Sequence, residues 1–484
     1  MFSDPNVDAK YQAICDLKPH LRSREGTLPI EWNELGMSDA FSQVFGNECR
    51  YVPEWKSWVV YDGIKWSKDE QGILVGEKIK LFTRLLSVYA REITDGTKDE
   101  YLKFVNKIED RRYRNRIKDD AAGVCATSAR EFDNNPYLLN CLNGTYDLST
   151  LELHEHNPHD YLTMCTRFEV NINKSVSCPR FEKFIDEITS GNKEKADFLQ
   201  RALGYSLLGK SNEECLFISY GKTTRNGKST LHNTIEEMLG DYSTSAPVGL
   251  ICRDRNQAQA EGASPVLASL KGKRFVTMAE SEDYGRLDEA KIKSFTGGEA
   301  ITARALFAAP ITFLPQFTIW LSCNDLPAVS DKSLFSSERL RVISFDKHFS
   351  QAEQDKGLKD FFTQPENMSG IFNWLVYGYR EYVNRKLVMS DDMKAVIASY
   401  EGDNDYVGQF LNQRACKGSY QITAKELYRH FVSWCKEEHI GIMAGRRFVN
   451  EMARHPEWYT SCIAETSGRR YIGLSLKALQ GGTS

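Results

Sequence analysis

The stretch 214–231, ECLFISYGKTTRNGKSTL, holds the residues whose chemistry is easiest to name. An apolar run passes into a loop containing Gly221, and Gly227-Lys228-Ser229 then opens an amphipathic segment. That is the layout of a phosphate-binding loop. Backbone N–H groups and a helix N-terminus surround the phosphates, the lysine reaches the β and γ oxygens, and the hydroxyl joins the Mg²⁺ shell. On this reading Gly221, Asn226, Gly227, Lys228, Ser229 and Thr230 bind ATP, and Ser229 contributes to the metal site. The usual pattern places four residues between the first glycine and the Gly-Lys pair; here five, from Lys222 to Asn226, intervene. The insertion is expected to bulge around Thr223–Arg225 while Asn226 to Ser229 keep the cradle. A chance Gly-Lys-Ser in a surface turn is the competing reading, and the strand before and helix after it argue against chance.

Nucleotide hydrolysis needs further groups. KGKRFVTMAESED (271–283) reads as a buried strand running into acids. One carboxylate at a strand end can hold the magnesium shell and another can polarise water. Glu280 is assigned the first role and Glu282 its partner, on the same side if the strand continues; acids capping a strand in solvent are the bland alternative. FTIWLSCND (317–325) is another buried strand, and Asn324 at its tip can hydrogen-bond a γ-phosphate or position the water. SSERLRVISFD (336–346) places Arg339 and Arg341 at the start of a further strand. A guanidinium on the developing charge, often supplied in trans, accelerates phosphoryl transfer, and Arg339 is chosen for it over a structural ion pair. Between the acids and Asn324, Thr296-Gly297-Gly298 should turn tightly into an extended arm, Ile301 to Phe307, with Lys293 and Arg304 as its basic residues.

The elements that position these groups are legible in outline. Four strand candidates, 215–220, 274–279, 317–323 and 340–345, are bounded by polar loops as the buried strands of a parallel sheet would be. Residues 178–210 show apolar spacing at i, i+3/i+4, so a helical lead-in precedes the sheet. The expected fold is α/β: an AAA+-like P-loop core over 178–350, an α+β N-terminal module over 1–177 and a helical segment over 351–400. Within the N-terminal module, Trp55, Trp58, Tyr61 and Trp66 surround an Asp62-Gly63 turn. They could stack on single-stranded bases, but such a block is more often the core of a small sheet. The tail, 401–484, reads as three helices and a hairpin, a winged-helix-like arrangement that often binds duplex DNA. Its residues 417–484 carry ten basic against six acidic side chains, a net +4. Arg446 and Arg447 on the third helix, with Arg469 and Arg470 on the wing, would contact phosphates; a protein-docking module is the alternative.

At 484 residues the chain is long enough for about three domains. Its net charge of −4 gives no global attraction to nucleic acid, so any such site must be local. No apolar run approaches the length of a membrane span, and the first residues lack a signal-peptide core. Twelve cysteines are scattered with no Cys-x-x-Cys pair, which fits small buried side chains in a reducing cytoplasm better than zinc ligation.

The ordered set GKTTRNGKST, AESED, KSFTGGEAITAR, LSCND and ERLRVISF resembles superfamily 3 DNA helicases, in particular the phage and plasmid helicase–primase family related to the poxvirus replicative NTPase. WVVYDGIKW, LLNCLNGTYDL and FLQRALGYSLLG look like that family's N-terminal collar module, so the likeness covers most of the chain. The resemblance implies a ring, with a homo-hexamer expected, ATP and Mg²⁺ between subunits, and Arg339 completing the neighbour's site. It implies that the Thr296–Pro310 arm grips single-stranded or forked DNA in a central channel, moving 3′ to 5′. Phe307-Ala308-Ala309 stands where relatives often carry a lysine, which leaves Lys293 and Arg304 beside Phe307 as the gripping candidates. No acidic primase motif is visible, so helicase without primase activity is expected, with a separate primase or origin-binding protein as partner and no membrane. A nucleotide-switched DNA-binding or assembly protein that does not unwind is the reading from another class.

Overall fold

The structure is a computed structural model that describes residues 5–21, 30–173, 176–253, 264–279, 286–306, 309–329, 332–465 and 468–477. The N-terminal module begins with α1 (Pro5–Leu17) and α2 (Glu34–Phe45), followed by a three-stranded antiparallel sheet of β1 (Cys49–Val52), β2 (Ser57–Tyr61) and β3 (Trp66–Asp69). Helices α3 (Ile73–Glu92), α4 (Lys98–Ile108) and α5 (Arg111–Val124) pack around it. The charged run 109–120 lies largely on α5, which buries only Ile117 and Ala121 and turns its charges to solvent. Of the aromatic block, Trp58 and Trp66 are buried in the sheet, as the bland reading expected, while Trp55 stays half-buried.

A second small sheet, β4 (Leu138–Cys141), β5 (Gly144–Asp147) and β6 (Glu152–His154), leads to helices α6 (Pro179–Ile188) and α7 (Lys193–Tyr205). Leu139, Tyr146 and Phe168 share one apolar core with Phe181, Phe198 and Leu203 of those helices. The 177/178 division drawn from the sequence is therefore crossed by continuous packing.

The central sheet is parallel throughout, in the order β13-β7-β12-β9-β8. Its strands are β7 (Leu216–Tyr220), β8 (Ser243–Ser245), β9 (Phe275–Ala279), β12 (Thr318–Cys323) and β13 (Leu340–Ser344). Four of the five match the expected strands. Short, polar β8 carried no apolar signal; it forms because an edge position needs pairing on one side only. Helix α8 (Lys228–Leu239) follows β7; α9 (Pro265–Ala268) and α10 (Glu289–Thr296) flank β9. Both faces of the sheet are covered, one by α6, α7, α8 and later helices, the other by the cluster around Ile218, Met278 and Leu321. Burial on two faces explains the continuous apolar runs. Trp320 stacks on Phe217 with ring centroids 4.5 Å apart and donates from Nε1 to Ser206 Oγ at 3.0 Å.

The expected extended arm is one side of a hairpin, β10 (Ile301–Ala303) paired antiparallel with β11 (Ile311–Phe313). After α11 (Ser333–Ser336) and β13 come α12 (Leu358–Phe362), α13 (Pro365–Arg385) and α14 (Asp391–Asp403). The tail holds α15 (Tyr406–Arg414), β14 (Ala415–Thr423), α16 (Ala424–Glu437), α17 (Gly445–Met452), β15 (Ser461–Glu465) and β16 (Gly468–Leu476). Its sheet runs β14-β16-β15. Strand β14 was missing from the sequence reading, because KGSYQ is mostly exposed and alternates little. All twelve cysteines are free, and nine are buried.

Candidate active site

The loop after β7 is shaped by contacts that only particular residues allow. Gly221 donates its N–H to Cys323 O at 3.2 Å. A Cβ at Gly221 would lie 2.4 Å from Asn226 Nδ2 and 2.7 Å from Phe345 O, so no side chain fits. Lys222 to Arg225 are exposed, and Arg225 takes a left-handed φ of 58°. Asn226 turns back inward at 3% exposure, and its Nδ2 donates to Thr223 O at 2.6 Å. The extra residue is thus taken up in a turn that Asn226 closes. Phe349 N–H donates to Arg225 O at 2.9 Å, pinning that turn to the chain beyond β13.

Gly227 has φ of 88°, and a Cβ there would meet Ile188 Cγ2 at 2.4 Å. The packing of α6 therefore demands glycine at the entrance to α8. Helix α8 starts at Lys228, with Ser229 exposed and Thr230 half-buried in its first turn. The N–H groups of a first turn lack helical partners and carry the positive end of the helix dipole.

Lys228 is 5% exposed, yet its amine faces oxygen atoms. Nζ donates to Gly221 O at 3.1 Å, Cys323 O at 2.9 Å and Asn324 Oδ1 at 3.0 Å. Asn324 can meet Lys228 because β12 sits directly beside β7, pairing Cys323 with Tyr220. On its other side β12 pairs with β9, Ser322 against Ala279, so β9 ends at the same edge. Glu280 and Glu282 lie outside the described residues.

Arg339 is at the other end of the sheet. Leu340 pairs with Leu216 at the start of β7, so a five-residue strand, about 13 Å long, separates Arg339 from the loop edge. Its guanidinium donates to Thr296 Oγ1 at 2.8 Å and to Glu214 O at 3.2 Å, and pairs with the Glu214 carboxylate. Arg341 is buried against Glu338 at 2.7 Å, a structural role. Lys293, on α10, donates to Ser333 Oγ at 2.9 Å. Arg304 is exposed just beyond β10, and Phe307 lies outside the described residues. In the tail, exposed Arg446 and half-buried Arg447 open α17, while Arg469 and Arg470 lie on β16 opposite Ala464 and Ile463.

One pair escaped the sequence reading. Ser219 Oγ lies 3.0 Å from His232 Nε2, beneath the loop, and burial followed by the Lys228 charge pushes the imidazole down to about 4. The histidine is therefore neutral at pH 7 and adds no charge beside Lys228. A serine within the apolar run LFISY was the available signal.

The arrangement defines a parallel α/β domain whose loop edge gathers an amine, a helix N-terminus and a strand-tip amide, a set able to hold polyanionic oxygens. The family model described as D5 N terminal like matches residues 38–190. The chain is 26% identical over 412 residues to "Putative helicase L207/L206" of Acanthamoeba polyphaga mimivirus, covering 79% of this chain and 42% of that protein. It is 23% identical to "Putative helicase 121R" of Invertebrate iridescent virus 3, covering 62% and 35%. The chain thus spans less than half the length of these curated relatives. Among solved structures, the apo NrS-1 C terminal region (305-718) is similar in fold, with TM-score 0.50 and 11% identity over 92% of this chain and 100% of that one. The chain is thus similar to D5-like proteins over part of its length and to viral proteins named as helicases. Among the described residues, no helix is long and apolar enough to cross a membrane.

Proposed function

We propose that this chain is an ATP-driven DNA helicase motor that works as a ring of copies, six expected, and moves 3′ to 5′ on single-stranded DNA. The observation that carries the reading is the meeting of Lys228 with Gly221 O, Cys323 O and Asn324 Oδ1 at the entrance to α8. A buried amine that meets backbone and amide oxygens can exchange them for phosphate oxygens, which bind it more strongly. Gly221 and Gly227 let the loop pack against Phe345 O and α6, where a Cβ would force it to shift. The Ser229 hydroxyl, exposed in the first turn of α8, suits an Mg²⁺ shell. Bound ATP supplies an anhydride whose hydrolysis can be coupled to movement. Asn324 then orients either the γ-phosphate or the attacking water, and Glu280 and Glu282 keep their assignment from the motif alone.

Arg339 sits a strand's length from its own loop, so it serves a neighbouring subunit in this scheme. It must leave Glu214 to do so, and the half-exposed carboxylate offers a solvent-screened, replaceable partner. The helicase names of the viral relatives support the motor reading, and replication of a virus or other mobile element is its proposed setting. The tail is assigned to duplex DNA or to a separate primase or origin-binding protein, in a cytoplasmic compartment. A strand-displacement assay on forked DNA with a 3′ tail tests the function. ATP-dependent unwinding is expected. Hydrolysis without unwinding, in a preparation weighed as rings, would sink the motor reading in favour of a nucleotide-switched assembly protein.

A further inference from the structure

A groove of about 2290 Å³ runs between the N-terminal module and the β10–β11 hairpin. Lys56, Lys68 and Arg130 line it from the N-terminal side, and Lys210, Lys271 and Lys273 from the core side. Among the described residues only two acids share the lining, and both accept hydrogen bonds: Glu54 from Ser128 Oγ at 2.9 Å, and Asp133 from Thr163 N at 2.9 Å. The amine of Lys68 lies 4.6 Å from the centroid of the Trp55 ring, and that of Lys271 lies 5.6 Å from the same centroid. One lysine belongs to β3 and the other to the approach to β9, so the indole marks where the two modules meet. At the hairpin side the lining includes Leu314, which is 61% exposed.

This combination is a poor structural device. Among the described residues, the side chains of Lys56, Lys68 and Arg130 make no ion pair and no hydrogen bond. Burial holds the Lys271 and Lys273 amines below the ordinary lysine range, opposed by Asp133 at Lys271 and by Asp241 and Asp133 at Lys273. A polyanion in the groove would offset that cost, and the half-buried indole and exposed leucine would meet flat apolar surfaces. A single nucleic-acid strand offers both, phosphates on one edge and base faces on the other. A duplex buries its base faces, and a free nucleotide would engage the cations around Trp55 but leave the rest of the groove unfilled.

We propose that this groove binds a single strand of nucleic acid, with phosphates drawing Lys68 and Lys271 off the Trp55 ring and a base taking their place, on its way to the β10–β11 hairpin. The proposal rests on the DNA-acting reading for its ligand class but needs no ATP turnover. The test uses the nucleotide-free full chain and a labelled oligothymidylate, read by fluorescence anisotropy over a range of salt. Trp55→Ala should weaken binding roughly tenfold or more, as loss of a stacked base does. The triple variant Lys56→Ala, Lys68→Ala, Arg130→Ala should lower the salt slope by about 2, near 0.7 per lost contact. Its three side chains are exposed, so it carries the test if Trp55→Ala fails to fold. Lys103→Ala, on the exposed side of α4, should change neither quantity. Wild-type affinity and slope in the folded triple variant would overturn the groove assignment. Equal losses on a duplex, or competition by poly-glutamate as strong as by the oligonucleotide, would overturn the single-strand ligand. Failure of the unaltered chain to bind the strand at all would instead count against the DNA-acting reading.

Discussion

The loop at 221–229 and the tail at 406–476 both carry basic residues proposed to meet phosphate, and they hold them in opposite ways. Lys228 is buried, its amine meets Gly221 O, Cys323 O and Asn324 Oδ1, and Gly221 and Gly227 stand where a Cβ would collide with packed neighbours. Arg446 and Arg469 stand exposed on a short helix and a hairpin, where many side chains would fit. In the first region backbone geometry dictates residue identity, so a short motif is informative. In the second, only charge and position matter, so the sequence is permissive and its reading open.

That contrast can be broken by experiment. Lys228→Ala should reduce ATP turnover by at least ~10³-fold, since a preorganised charge on the phosphates is lost; steady-state hydrolysis within tenfold of wild type would show that the loop is not the cradle. Arg339→Ala should cost about 10³-fold in turnover, and mixing with Lys228→Ala subunits should restore part of it. No recovery at any ratio would argue against a shared site. Gly227→Ala places a Cβ against Ile188 and strains the φ of 88°, so a loss of about 1–3 kcal/mol in chemical denaturation is expected, with weakened nucleotide binding. Unchanged stability would mean that α6 yields easily and that the loop is less constrained than the contrast requires.

The tail's attachment should depend on pH. His455 lies 3.1 Å from Asp405, which Lys332 also approaches to 2.9 Å. The hydrogen bond that the Asp405 carboxylate accepts from His455 raises the His455 pKa, with burial opposing. Against the upward push of burial, hydrogen bonds from His455, Lys332 and Gly408 N–H hold Asp405 well below the usual carboxylate range. A raised histidine stabilises most below its unfolded value near 6.5 and loses that contribution as pH rises through the folded value. The stability gap between wild type and His455→Gln should therefore shrink between pH 6 and pH 8.5 in denaturant titrations; a constant gap would assign the contact to packing alone. The smallest effect expected is that of Arg446→Ala with Arg447→Ala, which should lower the salt slope of duplex binding by about 2. An unaltered slope would favour protein docking for the tail.

Much of the core was legible because burial on both faces forces long apolar runs, and four of the five parallel strands were readable for that reason. The polar edge strand β8 and the exposed β14 were not, since neither needs an apolar pattern to pair. Trp58 and Trp66 followed the ordinary rule for aromatic blocks and went into a core, whereas Trp55, from the same run, opens on the groove. Nothing in the local sequence separates the three, because the distinction lies in what the other module places opposite each ring.

The amino-acid order alone carries the proposed phosphate-loop assignment, down to the lysine and the two glycines, because a phosphate cradle tolerates few residue types at fixed spacing. Strand order decided the rest. Inserting β12 between β7 and β9 brings Asn324 to Lys228 across 96 positions, and the parallel register sends Arg339 to the far edge. Lys271 over Trp55 likewise joins chain segments far apart, which meet only once the cores have packed, whereas the turn that Asn226 closes onto Thr223 is local.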